Sequence, residues 1–161
     1  TLLLGTRTRS ADIQGDVLRR EPYEKITRDQ VESALQRFVG EIDQLPPMVS
    51  AVKVKGRRLY ELARQGLEVE RKARRIRINR LDLATFELPH IQISLECSKG
   101  TYVRQIAEDL GEALGCGACI TQIERFKVGP FEMTQAVELN KLSEKDIRPW
   151  HNQLTGAKNL L

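Results

Sequence analysis

Ile91-Gln92-Ile93-Ser94-Leu95-Glu96-Cys97-Ser98-Lys99-Gly100-Thr101-Tyr102-Val103-Arg104, continued to Leu114, is the stretch whose reading decides the fold. Ile91, Ile93, Leu95 and Cys97 alternate with polar residues, the period of two of a half-buried strand. Val103, Ile106, Ala107, Leu110, Ala113 and Leu114 then recur at the spacing of an amphipathic helix. Between them Gly100 gives a sharp turn, and Thr101 is placed to cap the helix through its hydroxyl. Tyr102 and Arg104 therefore stand at a helix start just beyond a strand end. Arg104 lies off the apolar stripe and points to a cleft or to solvent. Ligand sites in proteins of mixed α and β structure gather at such junctions.

Upstream, Thr1–Gly5 reads as the end of a buried strand, followed by a polar loop over 6–15 and a short strand at Val17-Leu18. Thr27 with Gln30 is a capping box. Val31, Ala34, Leu35, Phe38, Val39 and Ile42 follow at helical spacing, so a helix is expected to run until Pro46-Pro47 stops it. Val49 to Val54 alternates, Gly56 turns, and Leu59–Arg64 forms a short helix with Gly66 past its end. Leu67–Val69 reads as a brief strand. Ile76 and Ile78, then Leu81 and Leu83, read as successive strand pieces, and Pro89 separates them from the central strand. Downstream, Gly115 and Gly117 break the chain, and Ile120–Val128 is expected as a strand ended by Gly129-Pro130. Residues 139–161 read as a tail or the start of a further appendage. The order of elements, with hairpins, predicts an α+β fold with a mixed, largely antiparallel sheet flanked by helices.

The 161 residues, 40% of them hydrophobic, are enough for one domain with a packed core and exclude wholesale disorder. No apolar run approaches bilayer length and no signal peptide is visible. The chain opens at Thr1 without an initiator Met, as if entered in mid-strand, and a fragment is expected. Three cysteines argue against a disulfide framework and suit the cytoplasm. The net charge of +4 is unevenly spread: from Lys53 to Arg80 there are 11 Lys/Arg against 3 Glu. That segment suits a polyanion, or is a solvated basic face.

Few motifs carry chemistry by themselves. Cys116-Gly117-Ala118-Cys119 is a CxxC, but it follows a helix rather than opening one, and Cys97, His90 and His151 lie at irregular spacings for zinc. A tight turn with small buried thiols is the plainer reading; a metal or thiol-redox site is the sharper one. Glu108 and Asp109 read as helix solubility, with Asp109 a candidate partner for an arginine. There is no GxSxG and no GxxxxGK[ST].

Several blocks, in order, resemble the bacterial TruB-type tRNA pseudouridine-55 synthases. They are Leu4-Gly5-Thr6-Arg7-Thr8 with Asp12-Ile13-Gln14-Gly15, then Pro46-Pro47-Met48-Val49-Ser50-Ala51-Val52-Lys53, then Gly56 to Gly66, then Cys97 to Cys119. Together they cover most of Leu4 to Val137. At Cys119 that family often has His, which weakens a metal role for the CxxC. The family's catalytic aspartate lies in a Gly-Thr-Leu-Asp-Pro motif upstream of the Leu-Gly-Thr block. Neither that motif nor the active-site tyrosine that precedes the opening strand occurs in the 161 residues. Asp12, Asp16 and Asp109 stand in other contexts, and no PUA-type appendage is recognisable.

The resemblance implies a pseudouridine synthase fold, partial here: residues 1–138 as the later part of a catalytic domain, with a thumb-like RNA-binding insertion at about 44–75. It implies isomerisation of uridine-55 in the T stem-loop of tRNA, by a monomer, without metal or organic cofactor. Arg104 would hold the aspartate ionised and Tyr102 would line the uracil pocket. Ile123 and Arg125, on one face of the later strand, would complete it. Lys53, Arg57, Arg58, Tyr60 and Arg64 would belong to the thumb and contact RNA. Without the aspartate motif this chain alone is expected to be inactive; a non-catalytic RNA-binding fragment, or half of a split enzyme, is the alternative.

Overall fold

The computed structural model describes residues 1–54, 56–138 and 140. The chain divides into two compact units, Thr1–Ile123 and Glu124–Leu161. The strands of the first unit are β1 (Leu2–Leu4), β2 (Thr6–Thr8), β3 (Val17–Arg20), β4 (Gly40–Gln44), β5 (Lys53–Val54), β6 (Arg57–Arg58), β7 (Arg74–Glu87), β8 (His90–Cys97) and β9 (Ala118–Ile120). Its helices are α1 (Arg28–Gln36), α2 (Leu59–Arg64) and α3 (Val103–Ala113). The second unit carries the hairpin β10 (Lys127–Val128) and β11 (Phe131–Glu132), then a 3-10 turn over Met133–Gln135. The expected tail at 139–161 lies, apart from Asn140, outside the described residues.

The main sheet has five strands in the order β4-β7-β8-β1-β9, each pair antiparallel. The α+β class holds. The one parallel contact is an isolated bridge between Asp12 and Ile120. One core joins both layers: Val31, Ala34 and Leu35 from α1, Ile106, Ala107 and Leu110 from α3, and Leu2, Leu4, Ile76, Ile78, Leu81, Ile91 and Ile120 from the sheet. Each fully buried Leu or Ile among them stabilises the fold by about 1.5–3 kcal/mol. Glu41, Asp43, Arg75, Arg77, Ser94 and Glu96 remain exposed on the strands, as expected of an antiparallel sheet with one solvated face.

The change of parity between Ile76/Ile78 and Leu81/Leu83 does not mark two strands. β7 is continuous and takes up the shift in a bulge: Ile78 pairs with Cys97 and Arg80 with Glu96, so Asn79 is an extra residue. A second irregularity between Leu83 and Thr85 returns Phe86 to a register with Ile91.

The Thr27 capping box is present, with Thr27 Oγ1 accepting from the Gln30 amide and Gln30 Oε1 from the Thr27 amide. The helix it starts ends at Gln36, however, and does not reach the prolines. Gly40 exits at φ +107°, open to glycine and strained for other residues, and the chain becomes β4, pairing Ile42 with Ile76. Cross-strand pairing thus overrides helical spacing for Ile42. Thr6–Thr8, read as loop, pairs with β3, and Leu67–Val69 forms no strand. The strand expected over 120–128 stops at Ile120, where Thr121 and Gln122 turn their amides onto the Thr1 carbonyl (3.0 and 3.4 Å). The Thr1 ammonium in turn donates to the Gln122 carbonyl at 2.8 Å.

Candidate active site

β8 delivers the chain to the turn before α3. Ser98 extends the ladder by one step: its amide donates to the Arg77 carbonyl at 2.8 Å and its Oγ accepts from the Arg77 amide at 2.9 Å. Gly100 then turns at φ +84°. Thr101 does not cap the helix. Its hydroxyl donates back to the Ser98 carbonyl at 2.9 Å, closing the turn, so α3 starts later with Tyr102 as its N-cap residue and no side-chain cap.

A residue that the sequence did not single out supports that uncapped start. Gln44, the last residue of β4, is 3% exposed. Its Oε1 accepts from the Tyr102 amide at 2.8 Å, and its Nε2 donates to the Tyr102 carbonyl at 3.1 Å. A buried carboxamide must find partners for both ends, and Gln44 finds both on one residue. The sequence carries no local signal for this, because the partner lies 58 positions away.

Arg104, the second residue of α3, is half-buried and reaches the proline block: its Nη2 donates to the Val49 carbonyl at 2.8 Å. Arg71 braces the same loop through a 2.9 Å bond to the Pro46 carbonyl. Ser50 is 6% exposed, and its Oγ has no hydrogen-bond partner among the described residues. Tyr102, Arg104 and the 44–50 segment are therefore one assembly.

The segment expected as a thumb is joined to it. The amides of Leu59 and Tyr60 donate to the carbonyls of Val52 and Ser50 (2.8 and 3.0 Å), tying α2 to the proline block. The β5–β6 hairpin carries exposed Lys53, Arg57 and Arg58. Arg58 Nη1 donates to the Tyr60 hydroxyl at 3.2 Å, raising the Arg58 pKa, and the guanidiniums of Arg58 and Arg64 lie 5.8 and 5.4 Å from the Tyr60 ring centre. Arg57 donates to Gln65 at 2.8 Å. Among the described residues no carboxylate forms an ion pair with Lys53, Arg57, Arg58 or Arg64. Two arginines of β7 differ: Arg75 pairs with Glu41 at 3.6 Å and Arg80 with Asp82.

Ile123 and Arg125 are not set side by side by a strand, because β9 ends before them. Ile123 is 53% exposed at the end of the first unit, and Arg125 is exposed in the second.

Asp109 has no arginine partner among the described residues. It accepts from Gln105 Nε2 at 2.8 Å, while Arg7 takes Glu108 at 2.9 Å. Burial pushes the Asp109 carboxyl above the ordinary range; the Gln105 bond opposes this and the neighbouring Glu108 and Glu112 add to it. Cys116 and Cys119 are buried, and burial raises both thiols. Cys119 lies in the β9 ladder opposite Leu3. Among the described residues no three His, Cys, Asp or Glu side chains converge as metal ligands.

Residues 1–103 match the family model described as TruB family pseudouridylate synthase, N-terminal domain, and residues 104–155 match the tRNA pseudouridylate synthase B C-terminal domain. The chain is similar to proteins named tRNA pseudouridine synthase B. It is 48% identical over 139 residues to that of Ectopseudomonas mendocina, covering 86% of this chain and 45% of the relative. It is 42% identical over 147 residues to that of Clostridium tetani (91% and 51%), and 49% identical over 146 residues to that of Burkholderia lata (91% and 45%). The chain thus spans about half the length of the curated relatives it matches. Its fold is similar to a chain of a solved Cbf5-Nop10-Gar1 complex, with a TM-score of 0.54 at 24% identity, over 82% of this chain and 30% of that one. A sheet that delivers Tyr102 and Arg104 to the start of α3, in a chain whose first 103 residues match that model, belongs to the TruB family of pseudouridylate synthases.

Proposed function

We propose that the protein converts uridine-55 in the T-loop of tRNA to pseudouridine, in the cytoplasm and as a monomer. The observation that carries this reading is the assembly of Tyr102, Arg104 and the proline block, with a basic hairpin rooted in it that has no carboxylate ion pair among the described residues. Lys53, Arg57, Arg58, Tyr60 and Arg64 grip the RNA backbone of the stem-loop. The target uridine leaves the stack at a cost of roughly a few kcal/mol. An aspartate supplied from outside these 161 residues assists cleavage of the sugar–base bond, and the freed uracil turns and rebonds through carbon. A guanidinium has five N–H donors. With one on Val49, Arg104 keeps others to bind that carboxylate in two-pronged fashion, hold it ionised and orient it. Tyr102 and Ile123 line the uracil pocket.

A second reading is half of a split enzyme, in which another chain carries the Gly-Thr-Leu-Asp-Pro segment. The test incubates unmodified tRNA with the full-length protein, with the 161-residue chain, and with that chain plus a segment bearing the motif. Pseudouridine is then mapped. The expected result is modification at position 55 by the full-length protein and none by the chain alone. Activity restored by the added segment supports the split reading. Turnover by the chain alone would sink the requirement for an outside aspartate.

A further inference from the structure

Gln44 stands outside the roles assigned above, yet it holds the backbone of the residue from which the site is built. Its carboxamide meets Tyr102 at both ends, with the amide N–H on Oε1 at 2.8 Å and the carbonyl on Nε2 at 3.1 Å. The backbone fixes which end is which, because an amide N–H can only donate and a carbonyl can only accept. The Tyr102 carbonyl also takes the amides of Gln105 and Ile106, at 3.0 and 3.2 Å. With no side-chain cap on α3, Gln44 and the Thr101 hydroxyl are what anchor the turn after Gly100. Five residues beyond Gln44, the Val49 carbonyl holds the Arg104 guanidinium. One short segment therefore fixes the backbone at 102 and the side chain at 104.

We propose that Gln44 is a positioning residue for the pseudouridine reaction, acting through the Tyr102 backbone to aim the Tyr102 ring and the Arg104 guanidinium. The assignment rests on the functional reading above. Gln44 touches no substrate. It works by removing play from two groups whose misplacement by about 1 Å costs on the order of a hundredfold in rate.

The test uses the full-length protein with Gln44→Ala, Gln44→Met and Gln44→Glu. Methionine fills the volume without the hydrogen bonds. The introduced carboxyl reproduces the amide only when protonated, with one oxygen accepting and the hydroxyl donating; ionised, it sets negative charge against the Tyr102 carbonyl. Charged groups on the surrounding segments are Arg71, Arg74, Arg104 and, on the opposite face of β4, Asp43. They are present in every variant, and the Gln44→Ala and Gln44→Met rates measured over the same pH range serve as the reference.

Single-turnover rates at saturating protein are expected to fall about ten- to hundredfold in Gln44→Ala and Gln44→Met. tRNA dissociation constants should stay within about threefold, since no phosphate contact is removed. For Gln44→Glu the rate ratio should rise as pH falls through the carboxyl pKa, which burial displaces upward. A Gln44→Met rate within about twofold of normal overturns the assignment. So does a Gln44→Glu ratio that is flat with pH, and so does loss of the fold in all three variants, which would make Gln44 structural only. If the unsubstituted protein forms no pseudouridine, the functional reading itself falls, an outcome distinct from these.

Discussion

Arg104 and Asp109 sit five residues apart on α3, and their surroundings give them opposite consequences. Arg104 keeps a planar fork with one prong on Val49. Lysine would keep the charge and lose the fork. Arg104→Lys and Arg104→Ala are expected to cut single-turnover chemistry roughly a hundredfold or more, in line with loss of a preorganised charged donor, while tRNA binding changes little. Loss confined to affinity would make Arg104 a phosphate contact. The surroundings of Asp109 disfavour its charged form. Its folded pKa lies above the ordinary 3.8, so the folded state holds the proton more tightly and stability falls as pH rises from 3.8 through the raised value. Asp109→Asn keeps an acceptor for Gln105 and removes the charge. Its melting temperature should exceed that of the parent at pH 7, and the gain should vanish at about pH 4. A gain that persists in acid would mean that repacking, not charge, is responsible.

At the scale of elements, α3 depends on a residue that looks like a flaw. Glycine inside a helix costs about 1 kcal/mol relative to alanine, yet a Cβ at Gly111 would lie 2.1 Å from the Ala118 nitrogen and 2.4 Å from the Gly117 carbonyl carbon. The close approach also lets the amides of Cys116 and Gly117 reach the Gly111 carbonyl, at 3.1 and 2.9 Å. Gly111→Ala is expected to destabilise the protein by about 3 kcal/mol in denaturant titration, despite its better helix propensity. A neutral or stabilising result would mean that α3 can slide on β9. Gly111 stood outside the stripe read along α3, and the need for glycine was not legible, because the clash is with chain beyond the helix. The same division runs through the fold. Local signals gave β8, the Thr27 box and α2 with Gly66. Long-range pairing decided the rest: Ile42 joined β7, Asn79 bulged out, and β9 stopped at Ile120. At the turn before α3, the placement of Tyr102 and Arg104 at a helix start was readable from spacing, whereas their bonds to Gln44 and to the Val49 carbonyl were not, because each spans more than 50 positions.

For the whole molecule, the basic segment from Lys53 to Arg80 splits into two populations that the sequence shows as one. The hairpin cations have neutral partners or none among the described residues, while Arg75 and Arg80 on the sheet have carboxylates. An arginine already paired has less to gain from a phosphate. Replacing Lys53, Arg57 and Arg58 with Ala is expected to flatten the slope of log K against log salt for tRNA by roughly 2. Replacing Arg75 and Arg80 should move it less. Equal effects would place RNA on the open sheet face as well.

The first unit closes on itself, since the Thr1 nitrogen meets the Gln122 carbonyl at 2.8 Å across 121 positions. Residues far apart in the chain are therefore neighbours, and the order in which the strands are synthesised is separable from the order in which they pair. A cut at the Gly56 turn tests this, since β1 and β4 on one side of it pair with β7, β8 and β9 on the other. It would keep every ladder of the five-stranded sheet and the Gln44–Tyr102 clamp while cutting the thumb at its tip.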